Sequence, residues 1–194
     1  MSSLKQDFDE LVVRIKQGRD FQHASFEPIY YLVFSPRQII DVKRQTKPWI
    51  QMLHKQGWSV HQFSIAEHIN KILKSVPTFR RNLWLKQDAA APMDWDKTNK
   101  SLANTLIDPI KGLQSKLEQK LNELEGDDKA LLLVTDLEAL HPYMRIGSIE
   151  SQLQGRFHVP TVFLYPGVRT GQTGLKFLGF YPEDGNYRSM HVGG

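Results

Sequence analysis

The sequence predicts a three-layer α/β fold in which helices cover both faces of a mostly parallel central sheet, with a Rossmann-like or P-loop-like topology lacking a functional phosphate loop. Three observations lead there. Continuous apolar runs of strand length at Ile29–Phe34, within Lys129–Asp136 and at Pro160–Tyr165 lack the alternation of a half-exposed strand, and such runs suit strands buried on both faces. Stretches of helical periodicity separate them, and strands that alternate with helices imply parallel crossovers. The turn after the first run, Ser35-Pro36-Arg37-Gln38, contains no glycine with which to cradle a phosphate.

Taken in order, Leu4, Phe8, Leu11, Val12 and Ile15 fall at helical spacing and Gly18 marks a stop, so the first element is an amphipathic helix. Ile29–Phe34 is the first buried strand. Ser35-Pro36 then turns the chain into a helix whose inward side is assigned to Ile39, Ile40, Trp49, Ile50 and Leu53, with Gly57 as its end. Trp58–Ser64 alternates as a second strand, and Ile65, Ile69, Ile72 and Leu73 continue as helix. Asp88–Lys97 shows no period, contains Pro92 and reads as a long loop. Leu102, Leu106, Ile110, Leu113, Leu117, Leu121 and Leu124 form the longest helical stripe, with Pro109 expected to bend it and Gly126 to close it. The stripe is read as a core-facing side rather than a coiled coil, since sustained heptads with charged flanks are not evident. After the strand of Lys129–Asp136, Ile146, Ile149 and Leu153 mark a helix ended by Gly155. Pro160–Tyr165 is a further strand, which Pro166-Gly167 is expected to turn, and Leu175–Tyr181 and Tyr187–Val192 read as short strands or an antiparallel edge.

A chain of 194 residues is the size of one domain, and residues 1–194 are expected to form one. There is no cysteine, which excludes disulfides, thiolate-held zinc, iron–sulfur clusters and cysteine nucleophiles. The first residues lack the basic and apolar regions of an export signal, and no apolar run reaches the roughly 18–20 residues that span a bilayer, so a cytoplasmic location without membrane contact is expected. The net charge of +4 is uneven: residues 1–86 carry fourteen Lys/Arg against seven Asp/Glu, and residues 87–194 carry eleven against fourteen.

In open parallel sheets, ligands bind at the carboxyl ends of the strands. Asp136, at the end of an apolar strand, stands where P-loop ATPases hold magnesium, but no G-x-x-x-x-G-K-[ST] accompanies it. The stretch Gly167–Phe177 is glycine-rich yet has no Gly-Lys-Ser/Thr, matches no dinucleotide fingerprint and precedes a strand. Asp136, Glu138 and His141 could ligate a metal or share a proton, but they also suit the polar entry of a helix that Pro142 would open. No H-x-x-x-H, H-E-x-x-H or G-x-S-x-G occurs. A cryptic nucleotide or metal hydrolase therefore ranks third among the readings, and no catalytic residue, cofactor site or metal site is assigned. Phe79-Arg80-Arg81 with Trp84 pairs cations with aromatics, so a nucleic-acid-binding subunit using the basic first half is the alternative to a protein-binding one.

From residue 131 onward the sequence resembles the BrxB family of BREX bacteriophage-exclusion systems. The likeness rests on Leu140-His141-Pro142-Tyr143-Met144-Arg145 after an apolar strand, the strand and turn ending in Tyr165-Pro166-Gly167, then Leu175-Lys176-Phe177-Leu178-Gly179 and Asn186-Tyr187-Arg188. Thr135-Asp136-Leu137-Glu138 departs from the small residues expected after the strand. The resemblance implies a component, with no established enzymatic activity, of a multigene defence system that tells host from phage DNA by methylation, and a non-catalytic adaptor or accessory subunit acting by protein–protein contact is the leading reading. It also implies partners: the phosphatase-like PglZ protein above all, with the BREX ATPase and methyltransferase after it. Pro142, Tyr143, Arg145, Pro166, Gly167, Asn186 and Arg188 are the interaction residues it suggests. Pro142 would start the helix, Arg145 would lie in the first turn where the helix dipole disfavours a cation, and Gly167 would adopt a positive φ.

Overall fold

The computed structural model describes residues 3–20, 27–171, 174–185 and 189–194. Its strands are β1 (Ile29–Phe34), β2 (Ser59–Ser64), β3 (Ala130–Thr135), β4 (Thr161–Thr170), β5 (Gly174–Phe177), β6 (Glu183–Gly185) and β7 (Met190–Gly193). β2, β3, β4, β1 and β7 lie side by side in that order, each pairing parallel to its neighbour. The order differs from the 3-2-1-4-5-6 of dinucleotide-binding sheets, so the Rossmann comparison extends only to a parallel sheet covered on two faces. β5 and β6 continue antiparallel from the far end of β4. The edge expected to be antiparallel is divided accordingly: β5 and β6 are antiparallel, whereas β7 joins the parallel sheet beside β1. Tyr187 lies outside the described residues.

The helices are α1 (Leu4–Asp20), α2 (Ile39–Lys55), α3 (Ile65–Ser75), α4 (Thr78–Ala90), α5 (Asp96–Leu106), α6 (Leu113–Leu124) and α7 (Ile146–Gln152). β1 is buried along its whole length, and alternation sends its residues to opposite layers. Tyr30, Leu32 and Phe34 join Phe8, Leu11 and Ile15 of α1 and Trp49 and Leu53 of α2 on one face. Ile29, Tyr31 and Val33 join α3, α6 and α7 on the other. Stacked aromatic pairs fix both layers: Phe8 stacks on Trp49 at 4.2 Å and Tyr31 on Phe163 at 5.0 Å, contacts that reward ring packing beyond area alone. The inward side of α2 is Val42, Thr46, Trp49 and Leu53, and Ile40, expected inside, is exposed.

Two further elements differ from the expectation. The leucine stripe of residues 102–124 is two helices, because Pro109 has no N–H to continue a helix and Asp108 Oδ1 accepts from the amides of Ile110 and Lys111 at 2.9 and 2.8 Å, closing a turn. The expected loop of residues 88–97 shrinks to the turn between α4 and α5. Among the described residues no helix is long and apolar enough to cross a membrane.

Candidate functional site

The carboxyl ends of the strands open on a cavity of ≈ 250 Å³ beneath α2, walled by Phe34, Ile39, Val42 and Leu164 and floored by Thr135, Asp136 and Glu138. This is where an open parallel sheet takes its ligand. The turn that would hold phosphate is committed elsewhere. Ser35 N donates to Gln38 Oε1 at 3.1 Å, Arg37 N to Ser35 Oγ at 3.4 Å and Gln38 N to Ser35 O at 2.8 Å, so the amides of Ser35, Arg37 and Gln38 are taken up within their own capping box.

The cavity floor is likewise self-paired. Lys43 Nζ, from the first turns of α2, lies 3.0 Å from Asp136 Oδ1 and 2.7 Å from Glu138 Oε1. Ser64 Oγ donates to Asp136 Oδ2 at 2.6 Å while accepting from Glu67 N at 3.2 Å as the cap of α3, and Thr135 Oγ1 donates to the same carboxylate oxygen at 3.0 Å. Burial works to raise the Asp136 pKa, but the Ser64, Lys43 and Thr135 hydrogen bonds outweigh it and hold the carboxyl below its ordinary range. The hydrogen bond to Glu138 leads the opposite effect on Lys43, whose ammonium is held above its usual range. Asp136 stands in the left-handed region at φ 60°, which aspartate tolerates better than most residues and which aims its side chain back at Lys43.

His141, grouped in the sequence with Asp136 and Glu138, leaves them. Its Nδ1 hydrogen-bonds the Tyr181 hydroxyl, and its ring meets Phe180 edge-on at 5.6 Å. Among the described residues, no three His, Cys, Asp or Glu side chains are placed to hold a metal ion.

His141 belongs instead to a cluster built by two segments far apart in sequence. The Arg145 guanidinium lies 4.5 Å from the Tyr181 ring centre, and its Nη1 donates to Pro182 O at 3.5 Å. Phe180 stacks on Tyr181 at 4.7 Å, and Tyr181 leans on Phe177 of the core, so the cluster has a fixed base and an exposed ring at Phe180. The structure thus brings Arg145 together with the segment after Leu175-Lys176-Phe177-Leu178-Gly179.

The roles expected of the remaining motif residues change. Pro142 does not open a helix: it sits exposed in a turn after a cis peptide bond, and α7 begins only at Ile146. Arg145 is therefore the residue before the helix, where it meets a π face and a carbonyl rather than the dipole. Tyr143 is half-buried against the core. Pro166 and Gly167 do not turn the chain: β4 runs through both, and Gly167 has no positive φ. A Cβ there would come within 2.5 Å of Lys176 O and the Tyr165 ring, so glycine serves the close approach of β5. Asn186 and Arg188 lie outside the described residues.

The sequence reading missed Lys43, which resembled any cation on a solvated helix face, and the surface role of Phe180 and Tyr181, which it read only as part of a short strand or edge. It also missed a buried pair between Tyr31, in the middle of the sheet, and Glu150 of α7, in which the Tyr31 hydroxyl donates to Glu150 Oε2. Burial, helped by the charges of Glu27 and Asp184 and opposed by the Tyr31 hydrogen bond, pushes the Glu150 carboxyl up to about 7.

These features define a parallel-sheet α/β protein whose strand-end cleft is lined by groups paired with one another and whose turn after β1 is a proline-containing cap. No curated protein and no solved structure matches the chain. The sequence model of one family, described as BREX protein BrxB, matches residues 62–192. The chain belongs to the BrxB family and is a component of BREX phage defence. The match starts well upstream of the motifs at residues 140–188, taking in the end of β2, helices α3 and α4 and the leucine stripe.

Proposed function

We propose that the chain is a non-catalytic adaptor of its BREX system, acting by protein–protein contact with the phosphatase-like PglZ component as its first partner and the BREX ATPase and methyltransferase as further ones. One observation carries this reading: His141, Arg145, Phe180 and Tyr181 form a surface cluster of aromatic rings and a guanidinium on a core-anchored base. Arginine and aromatic side chains of this kind dominate the energetics of protein interfaces, because they bury large contact areas in well-packed, desolvated pockets. Lys43, Asp136 and Glu138 are paired with one another, and the adaptor reading gives them a role in joining α2 to the ends of the strands.

The test is co-purification with tagged PglZ, alongside phage plating on the same strains. Phe180→Ser combined with Arg145→Ala is expected to reduce PglZ recovery at least about tenfold, as loss of a hot-spot pair does. Asp136→Asn is expected to leave both recovery and phage exclusion intact. Full recovery in the Phe180/Arg145 variant, or loss of defence with intact recovery in Asp136→Asn, would overturn the adaptor reading.

A further inference from the structure

We infer that α4 is a docking face for an acidic amphipathic helix of a partner protein. α4 has no buried residue, although it carries Phe79, Leu83, Trp84 and Leu85. It is tied to α5 by Trp84 Nε1 donating to Ser101 Oγ at 2.8 Å. Phe79 and Leu83, four residues apart and so on one face, are 67% and 58% exposed, and Met93 and Trp95, in the turn that follows α4, are exposed as well. An isolated exposed leucine needs no explanation, but a helix with an apolar stripe and no core to bury it does.

Charge decides what covers it. Between Glu67 and Asp88 the chain carries Lys71, Lys74, Arg80, Arg81 and Lys86 and no carboxylate. A second copy of α4 laid on this face would set cations against cations. A membrane would need a continuous apolar side, and Lys86 interrupts it one turn past Leu83. Nucleic acid would use the cations and could stack on Phe79, but it offers nothing to Leu83 or Met93. A helix with leucines opposite Phe79 and Leu83 and glutamates opposite Arg80 and Lys86 satisfies both features at once, in the helix-on-helix mode with anchors three and four residues apart. This inference deepens the adaptor reading by giving the chain a second contact face, separate from the Arg145–Phe180 cluster.

The experiment titrates the purified full chain into a fluorescein-labelled helical peptide of about 20 residues, with leucines on one stripe and glutamates flanking it, and follows polarisation. Saturable binding is expected, weakened at least about tenfold by Phe79→Ser with Leu83→Ser and by Arg80→Glu with Lys86→Glu, and unchanged by Lys5→Glu on α1. Circular dichroism of the variants checks that these exposed changes leave the fold intact. Absence of saturable binding, or binding indifferent to both double variants, would overturn the proposal. So would tighter binding, through the same residues, of a single-stranded oligonucleotide or of phosphatidylglycerol vesicles, or concentration-dependent self-association of the chain that these substitutions abolish. No BREX component is present in this assay, so its failure leaves the PglZ co-purification result standing, and the reverse holds equally.

Discussion

Glu150 illustrates how a single carboxyl can govern the pH response of the molecule. It projects from α7 onto Tyr31, and burial keeps its pKa near 7 against an ordinary 4.5. A group whose folded pKa is raised stabilises the fold in full below the unfolded value, and that stability drains away as pH rises through the folded value. Glu150 therefore favours the folded state most below about pH 4.5 and loses its contribution as the pH climbs through about 7. His191, whose ring packs edge-on to Tyr31 at 5.4 Å, works on the opposite limb. Burial, with the charge of Arg169, lowers its pKa from 6.5 to about 4, so its stability is present above the former and lost as pH falls through the latter. Glu150→Gln replaces the carboxyl with a neutral group of the same shape. The variant is expected to exceed the parent by about 2–3 kcal/mol near pH 8 and to match it near pH 4.5, measured by urea unfolding. Equal pH slopes in variant and parent would show that the Glu150 carboxyl is not held neutral.

At the scale of elements, the junction of β4 and β5 shows where a sequence signal and a structural role part company. Pro166-Gly167 reads as a turn because the dipeptide commonly makes one. In the sheet, β4 passes straight through it, leaving the parallel partnership with β1 at Pro166 and entering the antiparallel one with β5 at Gly167. The glycine is needed because Lys176 O and the Tyr165 ring occupy the space of a side chain. Gly167→Ala is expected to cost about 1–3 kcal/mol through overpacking and to lower the melting temperature without altering the exposed Phe180 face. A neutral result in thermal unfolding would mean that β5 can shift away. The same contrast explains what was legible. β1, β3 and β4 announce themselves because strands buried on both faces have only apolar side chains to show. α4 hides because nothing in it is buried, leaving no periodic apolar core face to detect. The Lys43–Asp136–Glu138 group and the Arg145–Tyr181 contact hide because each joins segments whose proximity follows only from the order of the strands.

For the whole molecule, that strand order makes residues outside the matched family segment indispensable. The segment 62–192 contains the second half of β2 and all of β3, β4, β5 and β6, together with β7 up to Val192, but not β1. Yet β1 stands between β4 and β7, pairing with Thr161–Pro166 on one side and Met190–Gly193 on the other. Its side chains Tyr31 and Leu32 are fully buried, one in each core layer. Without β1, β7 has no neighbour in the sheet, β4 presents an open apolar edge, and Val162 and Leu164 lose α1 and α2 as cover. A fragment comprising residues 62–194 is therefore expected not to fold. It should give no cooperative urea transition, bind a dye that reports exposed apolar surface and aggregate at micromolar concentration, whereas the full chain unfolds in one transition. A fragment that unfolds cooperatively, with protected amides in β3 and β4, would show that the sheet can close without β1, and the strand order would then not be what unites the two halves of the chain. Because pairing β1 with β7 joins residues 30–33 to residues 190–193, the final closure of the sheet draws together positions separated by nearly the whole chain. That long-range closure predicts slow folding for a protein otherwise rich in helices.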